Sequence, residues 1–493
     1  MDKRMPGAAA PTRPPGEGRQ FMRSSNRPNV LLILTDDQRF DTIHALGNPD
    51  IITPNMDWLA ARGAAFTQAH IPGGSSGAVC MPSRAMIHSG RRLYDLCGEG
   101  GTIPPEHTTL GEALRRPDAN GQSYYCFGTG KWHNGPPAFT RSFDAGDNIF
   151  FGGMWDHWNV PTCRYDPAGE YDNEINFVGN FWQSNAITRV HCDKFNPGVH
   201  SSELLTQTTL DALDDLPADK PFFIYTAYLA PHDPRTMPRR FEQMYDPARI
   251  ELPPNFRAEH FDYGVHSIRD EVLAAYPRNE SEVRRHIAQY YAMITHLDDQ
   301  IGRIIDALRT KGLLDDTIII LAGDNGLACG EHGLMGKQSL YEHSVRVPLL
   351  ISGPGIPSGL RIDNYVYLMD IYPTLCELLG IELPPSVQGV SFAPMLRDPT
   401  YVTRPELYMM YCELIRAVQD DRFKLIEYRN GPCGPRRQLF DLKSDPWETR
   451  DLYGQYGYRQ VVQSLLALRE RQRAIWEHDG QQSHSFWHGT PAV

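Results

Sequence analysis

What this 493-residue chain lacks narrows its function first. No apolar run approaches the roughly 20 residues needed to cross a bilayer, so no membrane span is expected. Positive charge is not in excess either. The 48 Lys and Arg against 60 Asp and Glu leave a net charge of −12, without the basic face that nucleic acid requires. The same sign disfavours a long polyanion lying across the whole surface, while a small anion in a locally positive pocket stays compatible. CxxC pairs are missing, and the nine cysteines are odd in number and scattered, which reads as reduced thiols rather than a disulfide framework or zinc site. Residues 1–28 are rich in Pro, Gly, Ala and Arg, and no apolar stretch follows the first charges. No signal peptide is read there, and a cytoplasmic location is expected, periplasmic or secreted if the true start lies elsewhere. No repeat or low-complexity segment occurs beyond this head. With 41% hydrophobic and 22% charged residues, the composition is that of a soluble globular protein too long for one simple core.

The chain is organised around Cys80-Met81-Pro82-Ser83-Arg84, continuing to Ser89-Gly90. Pro82 suits the first turn of a helix, where a missing N–H costs nothing, and Gly90 suits its stop. Cys80 is thereby set at a helix N-terminus, whose free N–H groups and dipole favour anions. Arg84, one turn on, adds a planar cationic fork matched to an oxyanion. A buried cysteine at a capped helix has the same local pattern.

Four short apolar runs read as buried strands, and each ends in polar residues. Val30–Leu34 runs into Asp36-Asp37, adjacent carboxylates that repel unless a cation lies between them, or else a solvated turn. Ser123–Phe127 runs into Gly128-Thr129-Gly130-Lys131-Trp132-His133. The glycines read as a tight turn beside a ligand, with Lys131 and His133, two apart on extended backbone, facing one side. Phe222–Thr226 leads to His232, held extended between Pro231 and Pro234. Thr317–Leu321 leads to Asp324-Asn325, a pair of hard oxygen ligands or an Asn-Gly turn. Ligands in an open α/β sheet gather at the carboxyl ends of strands. Four strands delivering Asp, Lys, His and Asn to one edge argue for a metal-assisted site that handles an anion.

Apolar positions 287, 290, 294, 297, 301, 304 and 308 predict an amphipathic helix covering the sheet. Residues 139–200 show little periodicity but carry Trp155, Trp158, Phe177, Phe181 and Trp182: either a binding loop whose Trp faces stack sugar rings, or a local mini-core. Residues 235–285 show no clear elements, and Arg239-Arg240 and Arg284-Arg285 read as solvated faces. Past Pro394, strand-like segments at 408–411, 415–418, 423–428 and 439–442 predict a small antiparallel sheet, followed by a helix at about 457–477. The expected division is a disordered extension at 1–27, a main domain at 28–395 and a C-terminal subdomain at 396–493.

Cys80 to Arg84 resembles the signature of the type I, formylglycine-dependent sulfatases of the alkaline phosphatase superfamily. Pro28 to Asp37, Gly130 to His133, Ala230-Pro231-His232, Gly323 to Gly326, Gly336-Lys337 and Leu439 to Pro446 match the family's motifs as well. His88-Ser89 stands where the family usually has Leu-Thr. The resemblance implies an α/β fold, a large mixed, mostly parallel sheet sandwiched by helices, with a small C-terminal antiparallel sheet plus helix. It implies that Cys80 is oxidised to formylglycine by a formylglycine-generating enzyme or an equivalent maturase. Asp36, Asp37, Asp324 and Asn325 would hold a divalent cation, calcium in preference to magnesium. One hydroxyl of the hydrated aldehyde would attack sulfur, with Lys131, Arg84 and Lys337 stabilising the transition state. His232 would protonate the departing alcohol, and His133 would take the proton of the second hydroxyl to expel sulfate. His332, Trp155 and Trp158 are candidate substrate contacts, and Asn134, where relatives commonly have Leu, is read as near enough to touch substrate.

The expected activity is hydrolysis of a sulfate ester on a mono- or oligosaccharide. Phosphonate monoester or phosphodiester hydrolysis, and choline or aryl sulfate hydrolysis, are alternatives using the same nucleophile. A binding protein with a relic site would leave Cys80 unmodified. Assembly into a homo-oligomer is left open.

Overall fold

The computed structural model describes residues 27–119, 121–178, 185–429, 431–477 and 481–488. Its centre is an eight-stranded sheet of Asn29–Thr35 (β1), Ala64–Phe66 (β2), Tyr125–Lys131 (β3), Ala145–Phe150 (β4), Phe222–Ala227 (β5), Thr317–Gly323 (β6), Leu349–Ser352 (β7) and Leu360–Ile362 (β8), in the order β8-β2-β7-β6-β1-β5-β3-β4. β7 runs antiparallel to both neighbours, and the other adjacent pairs are parallel.

All residues of β1 are buried, and they alternate between two apolar cores. Val30, Leu32 and Leu34 belong to one core, and Leu31 and Ile33 to the other, as the two-residue period of a strand demands. Helices Cys80–Ser89 (α1) and Ile371–Leu379 contribute to the first core. Ser201–Asp214 and the long helix Glu280–Thr310 (α2) contribute to the second. Every one of the seven apolar positions predicted for α2 is buried, and Asn279 caps its start by accepting from Ser281 and Glu282.

Two strands depart from expectation. β3 does not turn at Gly128 but continues through the glycines to Lys131. A Cβ on Gly128 would lie 2.8 Å from the Phe139 ring, and one on Gly130 would lie 1.9 Å from the Ala227 carbonyl oxygen. These glycines allow close packing inside the sheet rather than a turn. β4 lies within the stretch read as irregular, because its Ala-Gly-Asp-Asn start carries no strand pattern.

The second sheet contains Leu407–Tyr411 (β9), Ile415–Gln419 (β10), Phe423–Tyr428 (β11) and Arg436–Asp441 (β12), antiparallel as predicted. Gly73–Gly74 adds a fifth, parallel strand to β9 from far earlier in the chain. The helix Arg459–Trp476 packs on this sheet. Lys424 of β11 is fully buried and reaches Glu342 at 2.7 Å, Glu448 at 2.8 Å and the Leu340 carbonyl at 3.1 Å. Replacing it with Met would strand two buried carboxylates. Lys424→Met is therefore expected to lower stability by about 3–5 kcal/mol in a urea titration, and an unmoved midpoint would refute this role.

Among the described residues no helix is long and apolar enough to cross a membrane.

Candidate active site

Strand register brings the predicted residues together. Leu34, Ala227 and Gly130 lie level across β1, β5 and β3, while Thr35 pairs with Gly323 of β6. The next residues along these neighbouring strands are Asp36, Lys131 and Asp324, and His232 follows five residues after the end of β5. The Asp36 N–H donates to the Ala230 carbonyl at 3.1 Å and the Asp324 N–H to the Thr35 carbonyl at 2.9 Å, so backbone bonds tie these ends to one another.

α1 carries Cys80 at its first residue and stops at Gly90, whose φ of 63° is left-handed. The Cys80 side chain is buried among nitrogen atoms: Lys131 Nζ at 3.3 Å, His133 Nδ1 at 3.5 Å and Lys337 Nζ at 4.0 Å. Sulfur accepts hydrogen bonds weakly, so the ammonium donors of Lys131 and Lys337 suit an oxygen-bearing group at position 80 better than a thiol. Burial pushes the Cys80 thiol above its ordinary 9.0, against the pull of Lys131 and Lys337, which leaves the unmodified thiol neutral and a poor nucleophile. Lys131 and His133 do converge, though not along an extended backbone. His133 has a left-handed φ of 71°, a conformation uncommon outside glycine. Burial, followed by Lys131 and Arg84, holds its imidazole well below the usual range, hence neutral.

Next to Cys80 the carboxylates crowd together. Lys131 Nζ pairs with Asp36, and Lys337 Nζ reaches Asp37 Oδ1 at 2.6 Å. Asp324 Oδ1 accepts from the Asp37 N–H at 3.1 Å, and Asn325 Nδ2 donates to Asp37 Oδ1 at 2.7 Å. Burial and neighbouring Asp36 push the Asp324 carboxyl up to about 7, whereas Asp36 is held low by Lys131, His232 and Arg84 against the cost of burial. Asp36 Oδ1 and Asn325 Oδ1 are buried without a hydrogen-bond partner in this structure. Ligand atoms of Asp36, Cys80 and Asp324 lie within 4.8 Å of one another, as do those of Asp36, Asp37 and His232. Orphaned oxygens inside a knot of carboxylates are the donor set of a hard divalent cation, so these residues fit one.

Arg84 sits differently from expectation. Its Nε donates to Asp324 Oδ2 at 2.8 Å and its Nη1 to the Lys131 carbonyl at 2.7 Å, and it does not line the cleft. The guanidinium orients Asp324 and Lys131, and Nη2, without a hydrogen bond, lies 3.9 Å from Asp36 Oδ2. Asn134 is likewise buried and does not line the cleft. Its Nδ2 donates to the carbonyls of Met81 at 2.9 Å and Gly100 at 2.6 Å, tying down the first turn of α1. His232 Nδ1 lies 2.8 Å from the Asp233 carbonyl, which fixes Nδ1 as its donor and leaves Nε2 3.6 Å from Asp37 Oδ2. His157, a residue the sequence did not single out, holds this loop by donating Nε2–H to the His232 carbonyl at 3.0 Å.

A cleft of about 620 Å³ opens onto Cys80, His133, His232 and Lys337. Its far wall comes from Tyr263, Ser267, Ile268, Arg269 and Asp270, inside the stretch left without elements, where short 3-10 turns give no periodic signal. His332 does not line it. Its ring stacks on Tyr341 at 3.9 Å and Nε2 pairs with Asn255 at 3.2 Å, and burial drives its pKa down to about 3. Trp158 packs edge-on against His200 at 5.1 Å, whereas Trp155 lines an adjoining cavity. Phe181 and Trp182 lie outside the described residues.

Comparison with known proteins identifies the family. A family model described as Sulfatase matches residues 28–381, and one described as N-sulphoglucosamine sulphohydrolase, C-terminal, matches residues 330–474. A sulfatase of Formosa agariphila is 27% identical over 499 residues, covering 95% of this chain and 91% of its own. A choline-sulfatase of Rhizobium meliloti is 29% identical, covering 92% and 88%. A structure solved in complex with its substrate D-glucosamine-2-N,6-O-disulfate superposes with a TM-score of 0.73 at 22% identity, covering 93% of this chain and 99% of that one. With the first family model spanning more than half of its length, the chain belongs to the sulfatase family and is a sulfuric ester hydrolase.

Proposed function

We propose that this sulfatase hydrolyses an O-sulfate ester on a mono- or oligosaccharide, with residue 80 matured to formylglycine and a divalent cation held by Asp36, Asp37, Asp324 and Asn325. Calcium is the first choice and magnesium the second, since the donors are all oxygen. The observation that carries the reading is the convergence of four neighbouring strand ends on side chain 80 at the start of α1. A sugar as substrate is supported by Trp155 beside the cleft and by the glucosamine disulfate of the similar structure.

When present, the hydrated aldehyde supplies two hydroxyls on one carbon, and the cation supplies positive charge at the sulfate. The chain's own residues account for binding and proton handling. Lys131 and Lys337, both beside side chain 80, complement the charge of the sulfate oxygens. Arg84 acts indirectly by holding Asp324 and the Lys131 backbone. His232, its Nδ1–H fixed on the Asp233 carbonyl, delivers a proton to the departing alcohol from Nε2. His133 is neutral and has Nδ1 next to side chain 80, so it can take a proton there.

A panel of sulfated mono- and oligosaccharides, choline sulfate, an aryl sulfate and an aryl phosphonate monoester, assayed with calcium, tests the reading. The highest kcat/KM is expected on a sulfated sugar. Turnover of choline or aryl sulfate with none on any sugar would defeat the sugar assignment, and a large preference for the phosphonate would replace it.

A further inference from the structure

Beside the catalytic cleft lies a second cavity of about 920 Å³, and the two share Met154 and Arg269 as a common wall. Arg269 is not free to take a ligand's charge. Its Nη2 pairs with Asp233 Oδ2 at 2.6 Å, and its Nη1 with Asp233 Oδ1 at 2.9 Å and Asp270 Oδ1 at 3.2 Å. Arg235, on the other side of Asp233, is in a different state. Among the described residues no carboxylate lies within ion-pair distance of it, and its Nε is buried without a hydrogen-bond partner. Its Nη1 lies 2.9 Å from His286 Nδ1, and its guanidinium lies 5.9 Å from the centre of the Tyr290 ring.

A guanidinium only donates, so His286 Nδ1 is the acceptor and the imidazole proton resides on Nε2. Burial, followed by Arg235, lowers the His286 pKa to about 4, consistent with a neutral ring. Nε2 is buried as well and also lacks a partner, with Glu282 Oε1 no closer than 4.0 Å. The two residues that carry these orphaned N–H donors, one of them a cation, both line the cavity. Its aromatic wall is Trp155, packed at 4.6 Å on Phe177. Asp156 also borders it, but this residue is exposed and its carboxylate accepts from the Trp158 N–H at 3.0 Å.

We propose that this cavity is a subsite for an acidic pyranose adjoining the sulfated ring, with Trp155 stacking on the sugar face while Arg235 Nε–H and His286 Nε2–H bind a carboxylate or second sulfate. The inference rests on the sulfated-carbohydrate reading and narrows it to oligosaccharides with a second negative charge. Buried donors left unpaired by a neutral neighbour, and satisfied by an oxyanion, give the discrimination.

The test has two independent readouts. In the first, wild type and Arg235→Gln are compared on three sulfated disaccharides whose adjoining ring is neutral, uronate-bearing or itself sulfated. The preference of wild type for an acidic over the neutral adjoining ring is expected to fall about 10- to 100-fold in Arg235→Gln, the range of one charge-assisted hydrogen bond. The two acidic substrates tell carboxylate from sulfate. An unchanged preference, or none in wild type, overturns the proposal. In the second, calorimetry measures a non-sulfated, uronate-bearing disaccharide binding to wild type, Arg235→Gln and His286→Phe, with about tenfold weaker binding expected in each variant. Binding that depends on Arg235 without turnover of any sulfated sugar would support the subsite and sink the catalytic reading. Sugar turnover with binding indifferent to Arg235 and His286 would sink the subsite alone.

Discussion

Replacing Cys80 with serine is expected to lower kcat on any sulfate ester by about 10⁴-fold or more, the scale on which loss of a nucleophile is felt. The substitution keeps the size of the side chain and leaves Lys131, His133 and Lys337 in place, so the protein should fold with an unchanged melting curve. What it removes is the capacity to become an aldehyde. A serine once sulfated has no second hydroxyl with which to expel sulfate, so at most one turnover is available to it. Protein from a host without the maturing enzyme should behave like the variant, because burial holds the unmodified thiol neutral. The mass of the proteolytic peptide spanning Cys80 supplies the check: active preparations should show loss of the thiol sulfur and two hydrogens and gain of one oxygen, the change from thiol to aldehyde. Full activity in Cys80→Ser, or in preparations carrying only the thiol, would overturn the nucleophile assignment.

Stripping divalent cations should have the next largest effect, with activity falling about 1000-fold, since a cation at the sulfate is worth several kcal/mol of transition-state stabilisation. Stability provides a second readout. Lys131, Lys337 and Arg84 each pair with one of the buried carboxylates of Asp36, Asp37 and Asp324, and a divalent cation bound to these oxygens and to Asn325 would offset the repulsion that remains. Calcium at 100 times its Kd should therefore stabilise chelator-treated protein by about 2.7 kcal/mol. Asp36→Asn and Asp324→Asn should each reduce this gain, and a double variant should abolish it. A chelated enzyme with unaltered turnover and a melting temperature indifferent to calcium would dismiss the cation site.

Particular residues show how much was legible beforehand. Val30–Leu34, Phe222–Thr226 and Thr317–Leu321 announce themselves because a strand buried on both faces must be apolar throughout. Asp36, Lys131, His232 and Asp324 were then found by where they stand in the chain, just beyond such runs. α2 was legible for a similar reason, since one helical face must meet the core. β4 was not, because its first half is polar or glycine and gains its place by pairing with β3. Gly73–Gly74 is too short to carry any period and becomes a strand only against β9. Arg84 is expected at the transition state from its place one turn after Cys80 and from the family resemblance, and Asn134 and His332 at the substrate from their neighbours in the chain. Their partners are Asp324, the Met81 and Gly100 carbonyls, and Tyr341 with Asn255, all 34 or more residues away in the chain except Tyr341, nine residues from His332.

The amino-acid sequence by itself determined the buried strands, the amphipathic helix, the helix starting at Cys80 and the inventory of acids, bases and cations at the strand ends. Those features follow from apolar periodicity and turn chemistry, which act over a few residues. Tertiary structure alone decided which of these side chains face the cleft and which brace it from behind. It also placed 263–270 along the cleft and Arg235 along the adjoining cavity, because strand order, register and left-handed residues such as His133 arise from contacts between segments remote in the chain.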